Sequence, residues 1–517
     1  MTSVTATAGA SAEKGGALAD LFSLVREVKL LDSTASVLGW DQETMMPEGG
    51  VEWRSSQLAH LARLSHQTFT ASRTGDLIEA AAEQVAKLPE DHPDRVDVRE
   101  IERDWKKATK LPESLVSELA ELSSKAMHEW AAARKASDFT RFRPWLERTV
   151  ELNRRKAECL GWPSTGEPWD ALADSYEPGL AAADVQAVFE PLRKRLQALL
   201  DRLKGSPRKP SNGFNEHALS IADQERFVRF VAKRIGFDFN RGRLDRSTHP
   251  FCGGSHCNDV RMTTRYLETC VLDALGSTMH EAGHGMYEQG LDAARIGLPM
   301  GEAAGLSVHE SQSRLWENQV GRSRAFWTWA QGQLPAFFGD ACDRFSLQDL
   351  VDGANVVEPG FIRVEADEGT YNMHVMIRFQ LERAMIKGDL KVADLPGVWN
   401  GLYKDYLGLT VPDDRRGCLQ DVHWSMGAIG YFPTYTLGTL LAAQLFEKAR
   451  KDLPGLEEGF ARGEFAPLLE WLRKHVHSQG RRHRLDGLCR KVTGQPLSAD
   501  PLMRHLEGKL LPLYGLA

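Results

Sequence analysis

Apolar residues recur every three or four positions along most of this chain, the period of an α-helix that buries one face. Eight such stretches fill the first half, at 18–38, 54–64, 74–88, 98–110, 112–136, 142–160, 182–204 and 223–235. Five more follow at 347–355, 370–387, 392–407, 437–451 and 465–475. Gly- and Pro-rich breaks at 161–168 and 205–213 read as loops, too short for flexible linkers. No fixed-period repeat emerges. The pattern predicts a mainly α protein, and length alone would allow three domains. Residues 1–20 are small and polar, without an apolar segment or an arginine cluster, and are expected to be a disordered lead.

A different period appears near His249 and the run Asp259-Val-Arg261-Met-Thr-Thr-Arg265-Tyr266. Polar and apolar residues alternate there around Gly253-Gly254, which predicts two short strands of a small β-sheet. Such a sheet can hold an extended peptide along its edge. Arg261 and Arg265 either serve that purpose or brace the fold.

Beside these strands lies His280-Glu281-Ala-Gly-His284, preceded by apolar positions 267, 271, 272, 275 and 279. The helical period runs straight into the motif. Two imidazoles four residues apart share one helix face and can grip one zinc ion, while Glu281 reaches the ion's open side. Zinc lowers the pKa of its water toward ~7, and a carboxylate so placed accepts the proton as water attacks a carbonyl. Paired surface histidines are the bland alternative. Gly276, Gly283 and Gly285 each weaken the helix by up to ~1 kcal/mol, a cost understandable where another backbone or a substrate packs closely.

Catalytic zinc takes three protein ligands. Glu302, His309, Glu310 and Glu317 are the local candidates, and Glu310 is preferred. It lies on a predicted second helix with Leu306, Ser313 and Arg314 on one side; Glu302 and Glu317 are expected on solvated faces. Cobalt or manganese can occupy the same ligands.

These residues resemble the signature blocks of the M32 metallocarboxypeptidases, the carboxypeptidase Taq family. The blocks read here as His249-Pro-Phe, Asp259-Val-Arg261-Met-Thr, the 280–284 motif, His309-Glu310-Ser-Gln and Gly417-Cys-Leu-Gln420-Asp421-Val-His423-Trp424. The resemblance extends through nearly all of the chain after the first twenty residues. It implies a zincin-like helical fold, with residues 21–517 as a single helical domain whose two lobes flank a deep central cleft, zinc ligands His280, His284 and Glu310, Glu281 as general base, release of single C-terminal residues from peptides, and a homodimer. A carboxypeptidase also needs a cation for the substrate's terminal carboxylate. Arg363, in Ile-Arg363-Val-Glu-Ala-Asp-Glu, matches the family's arginine for that role; its alternative is an ion pair with Glu365, Asp367 or Glu368. Tyr431 and His423 are candidates for the oxyanion donor, and His249 and Arg261 for substrate binding. One departure is Cys252-Gly-Gly-Ser-His256-Cys257, expected to carry free thiols on a loop.

Composition narrows the picture only slightly. At 517 residues, 42% hydrophobic and with a net charge of −7, the chain can bury a large core and gives no footing for nucleic acid. Seven cysteines, an odd number, argue against a disulfide framework. No stretch has the ~18 apolar residues of a membrane span, and a cytoplasmic location follows by elimination. The cluster 475–484 is expected to form a basic surface at a helix end. Two rival functions stay open: a zinc oligopeptidase that cuts internal bonds or releases dipeptides, and a non-catalytic metal-binding scaffold.

Overall fold

The computed structural model describes residues 16–516. Every helical stretch read from the periodicity is present. The 18–38 stretch lies within a helix at Ala17–Thr44, and 437–451 within Pro433–Asp452, whose first residue is a proline that needs no N–H partner there. Residues 17–20 are therefore helical, which shortens the expected lead; its residues 1–15 lie outside the described region.

Six helices escaped the periodicity: Pro168–Ala173, Arg324–Gln331, Leu334–Phe338, Leu456–Ala461, Leu485–Thr493 and Asp500–Leu513. Five of them have nine residues or fewer, too few turns to display a repeat.

The sheet has three strands, one more than expected: β1 (Gly242–Arg246), β2 (Cys252–His256) and β3 (Asp259–Thr264), in the order β1-β3-β2. β3 runs parallel to β1 and antiparallel to β2. Val260 and Met262 of β3 are buried and form part of the main core, with the Val271–Gly290 helix. β2 is an edge strand, and the residue expected on a loop, Cys252, is its first residue. All seven cysteines are free thiols.

One large apolar core runs through most of the molecule, and a smaller cluster joins Leu21, Val25, Ile78, Val85, Val98 and Ile101 of the first helices to Leu298. Between the Ala17–Thr44 helix, β2 and the end of the Val271–Gly290 helix lies a cleft of about 630 Å³, lined among others by Lys29, Cys252, Glu288, Glu302 and His309.

The site is positioned by three helices that pass unusually close. A Cβ on Gly283 would lie 2.5 Å from the carbonyl oxygen of Gln312, in the Leu306–Arg314 helix. One on Gly438 would lie 2.6 Å from Cβ of Glu310. Gly285 similarly admits the Phe237 ring, at 2.7 Å. Gly276 meets nothing within 4 Å, so the close-packing explanation holds for Gly283 and Gly285 but not for it. Gly283→Ala or Gly438→Ala should therefore cost about 1–3 kcal/mol through overpacking. Gly276→Ala should instead be neutral or stabilise by up to ~1 kcal/mol. Denaturant titration of the three variants checks this contrast; equal effects would refute the packing argument.

Candidate metal centre

His280 and His284 leave the Val271–Gly290 helix one turn apart, and Glu310 faces them from the Leu306–Arg314 helix. Nε2 of His280 lies 3.5 Å, and Nε2 of His284 3.4 Å, from the same oxygen of Glu310, Oε2. One ligand atom from each of the three residues falls within 4.8 Å of the others. Two imidazole nitrogens and a carboxylate oxygen converging in this way suit a divalent ion.

Each candidate ligand is oriented from behind. Nδ1 of His280 lies 2.9 Å from Oε2 of Glu317, and Nδ1 of His284 donates to the carbonyl oxygen of His309 at 3.1 Å. Both contacts leave Nε2 for the shared centre. Arg314 donates through Nε to Oε1 of Glu310 at 2.6 Å, and Ser313 Oγ donates to Oε2. Glu317 also accepts from Arg314 and Arg322, each at 3.2 Å. It sits on a π-helical segment, Leu315–Val320, that extends the Leu306–Arg314 helix. The expectation of a solvated face for Glu317 is corrected: its side chain is only 12% exposed. Glu302 is corrected too, since it pairs with Lys29 at 2.6 Å and with Arg481 at 3.3 Å.

Burial and charge set the protonation states. Burial favours the neutral form of Glu310, but Arg314 and His280 outweigh it and hold its carboxyl well below the usual range. The Glu317 carboxyl is likewise burdened by burial, yet Arg314 and His280 keep it down at about 2. Burial, assisted by His309, lowers His284 to about 3, so its imidazole is neutral. Glu281, 6% exposed, is pushed up to about 7 by burial, with Glu310 and Glu317 adding to the rise.

A second wall continues from the candidate ligands through aromatic rings. The Arg314 guanidinium lies 4.0 Å above Tyr371, whose hydroxyl accepts a bond from Arg363 at 3.0 Å. Arg363 is 4% exposed and also pairs with Asp421 at 2.9 Å, in place of the Glu365, Asp367 or Glu368 considered from sequence. Asp421 accepts from Arg378 as well, at 2.6 Å, so two guanidinium groups share one carboxylate. Glu368 is engaged elsewhere, by His505 and Lys509. The His423 ring lies 5.3 Å from Tyr431, and its Nε2 is 3.3 Å from the hydroxyl of Tyr435. Burial, helped by Arg363, lowers His423 to about 3, and burial raises the Tyr431 phenol. Both side chains are thus neutral hydrogen-bonding groups.

Two predicted residues make their contacts elsewhere. Arg261 grips Asp259 through Nε and Nη2, at 2.9 and 3.0 Å, and lies 4.6 Å over Trp40. His249 is exposed on the connection between β1 and β2. The 475–484 cluster is not a basic surface. Arg481 is tied to Asp104 at 2.6 Å and to Glu100 and Glu302, while His477 is buried against Gln312. Tyr371, Arg378 and Tyr435 were missed as parts of the site, Arg314 was placed beside Glu310 without a role, and Glu317 was weighed only as a ligand. Only the helical spacing of Glu310, Arg314 and Glu317 signalled any of them.

Comparison with known proteins agrees with this helical body and with a centre able to hold a divalent metal. Residues 20–510 match the family model "Carboxypeptidase Taq (M32) metallopeptidase". The chain is 43% identical to thermostable carboxypeptidase 1 of Thermus thermophilus over 96% of its own length and 98% of the relative's. It is 36% identical to carboxypeptidase 1 of Bacillus subtilis over the same shares. Among solved structures, the M32 carboxypeptidase of Deinococcus radiodurans superposes with a TM-score of 0.91 at 40% identity, covering 96% of this chain and 99% of that one. Fold and centre together define a metallopeptidase. The chain belongs to the M32 carboxypeptidase family.

Glu317→Gln should weaken metal affinity by about 10–100-fold, the usual cost of losing a carboxylate behind a ligating histidine. Competition with a chromophoric chelator measures this; unchanged affinity would deny Glu317 an orienting part.

Proposed function

We propose that this protein is a zinc-dependent carboxypeptidase that removes single residues from the C-termini of peptides. The observation that carries the reading is the convergence of His280, His284 and Glu310 on one point beside the buried Glu281. Zinc, or cobalt or manganese in its place, would supply Lewis acidity there, polarising the scissile carbonyl and making water acidic. The chain's own residues supply the rest.

Glu281 takes a proton from the attacking water and delivers it to the departing amine. A carboxyl pushed up to about 7 suits both transfers near neutral pH. Tyr431 or His423 donates a hydrogen bond to the oxygen that gains charge as the carbonyl becomes tetrahedral. Their neutrality favours this, because each keeps a donor proton.

Arg363 receives the terminal carboxylate of the substrate. Asp421 does not cancel it, because the same carboxylate also serves Arg378, so the group of three carries one net positive charge. Stacking within 5.3 Å of Phe432 and Tyr435 holds the guanidinium plane. In this reading His249 and Arg261 help bind the peptide through the sheet: Arg261 by fixing Asp259 and β3, and His249 from the exposed turn before the β2 edge.

Peptides with a free C-terminus are the proposed partners and a homodimer the proposed assembly, both supported by the family resemblance. No helix among the described residues is long and apolar enough to cross a membrane. We take the enzyme to act in the cytoplasm, consistent with its free cysteines.

Glu281→Gln should keep its metal and lose activity by about 10²–10⁴-fold, whereas Glu310→Ala should lose metal as well. Metal analysis beside turnover separates these outcomes, and undiminished activity in Glu281→Gln would remove the proposed base. Matched peptides with free and amidated C-termini test the exopeptidase assignment. Only the free form should be trimmed; equal cleavage of both would favour an oligopeptidase.

A further inference from the structure

Beside Glu317 lies a small cavity of about 10 Å³, lined by Arg314, Glu317, Arg322, Glu368, Asn372 and Thr439, among others, but not by His280. It has room for one water-sized ligand, which a monatomic ion matches once the flexible arginine side chains give slightly. Asn372 is 1% exposed, and neither its Nδ2 nor its Oδ1 has a hydrogen-bond partner. Leaving a buried amide unpaired costs roughly 1–3 kcal/mol, so a side chain of this kind on a polar cavity points to a ligand.

The lining distinguishes among ligands. Both carboxylates are already neutralised. Oε1 of Glu317 accepts from Arg322 and Oε2 from Arg314 and His280, while Glu368 is met by His505 on one oxygen and Lys509 on the other. The Thr439 hydroxyl proton is directed at the carbonyl oxygen of Tyr435. The spare capacity is mostly donor: the Asn372 amide, which can turn its NH2 group inward, and N–H bonds of the two arginines beyond those that Glu310, Glu317, Asn318 and the carbonyl of Ala354 use. Glu310 also draws on Arg314. Even so, Arg314, Arg322 and Lys509 face three carboxylates, so the local charge is balanced and does not oppose an anion.

We propose that this cavity is a binding site for a monatomic anion, chloride in practice, held by Asn372, Arg314 and Arg322. The ion would steady the two arginines that grip Glu317 and, through Glu317, the orientation of His280. Binding itself requires neither the metal nor peptidase activity, so the proposal can fail while the functional reading stands.

The test uses the full metal-free chain. Its melting temperature should rise saturably with sodium chloride, relative to sodium gluconate at equal ionic strength. Crystals grown in bromide should show one anomalous peak against Asn372. Asn372→Leu, which removes the amide at similar volume, should abolish both the chloride-specific rise and the peak. Identical melting in chloride and gluconate, or density in the cavity without anomalous signal, would assign the space to water and overturn the proposal. Retention of the peak in Asn372→Leu would equally remove the proposed ligand. Should that variant fail to fold, the wild-type salt comparison and anomalous map decide alone.

Discussion

The near-contact of three helix backbones governs the rest of this structure. Gly283 lets the Val271–Gly290 helix touch the Leu306–Arg314 helix, and Gly438 lets the Pro433–Asp452 helix press on Glu310 from the other side. Protein interiors are packed as tightly as organic crystals, so such a wedge leaves the carboxylate little freedom. Its oxygen meets both imidazoles within about the span of one ion, 3.4–3.5 Å. The glycines weaken their helices, and that loss is offset where a side chain would have kept the ligands apart.

Packing alone would leave an untenable density of buried charge. Glu310, Glu317, Glu368 and Asp421 are all sheltered from water, and an unpaired carboxylate there would neutralise itself. Each instead receives hydrogen bonds from cations: Arg314, Arg322, Lys509, Arg363 and Arg378. Such pairs add little net stability, but removing one partner is expensive. They fix where each donor points. Glu281 is the exception, since no cation side chain is bonded to it, and burial pushes it up to about 7. The same environment thus keeps one set of carboxyls ionised and another poised to exchange a proton.

Much of this was legible in the sequence, for identifiable reasons. The long amphipathic helices announced themselves through period, and the His280–His284 spacing announced a shared face. Glu310 could be picked out because a second short helix presents it beside Arg314. The helices that escaped were short, and β1 escaped because Gly242–Arg246, with three charged residues in five, resembles no buried strand. Glu317 was misread for a different reason: a π-helical segment changes which face a residue occupies, and ordinary helical spacing does not foresee it. Arg363 was recognised, but its partner lies 58 residues away at Asp421, a separation no local pattern encodes. Arg481 misled in the same way, its basic neighbourhood being answered by acids near residue 100.

The pressure of Gly438 on Glu310 gives the centre a long reach along the polypeptide. All three imidazole and carboxylate donors are translated by residue 310, but the helix that clamps them arrives only with residues 433–452. A nascent chain, or a proteolytic fragment ending near residue 400, would hold every candidate ligand in sequence without the wall that seats them. Competence to capture an ion should therefore emerge late in synthesis, once the C-terminal third has docked.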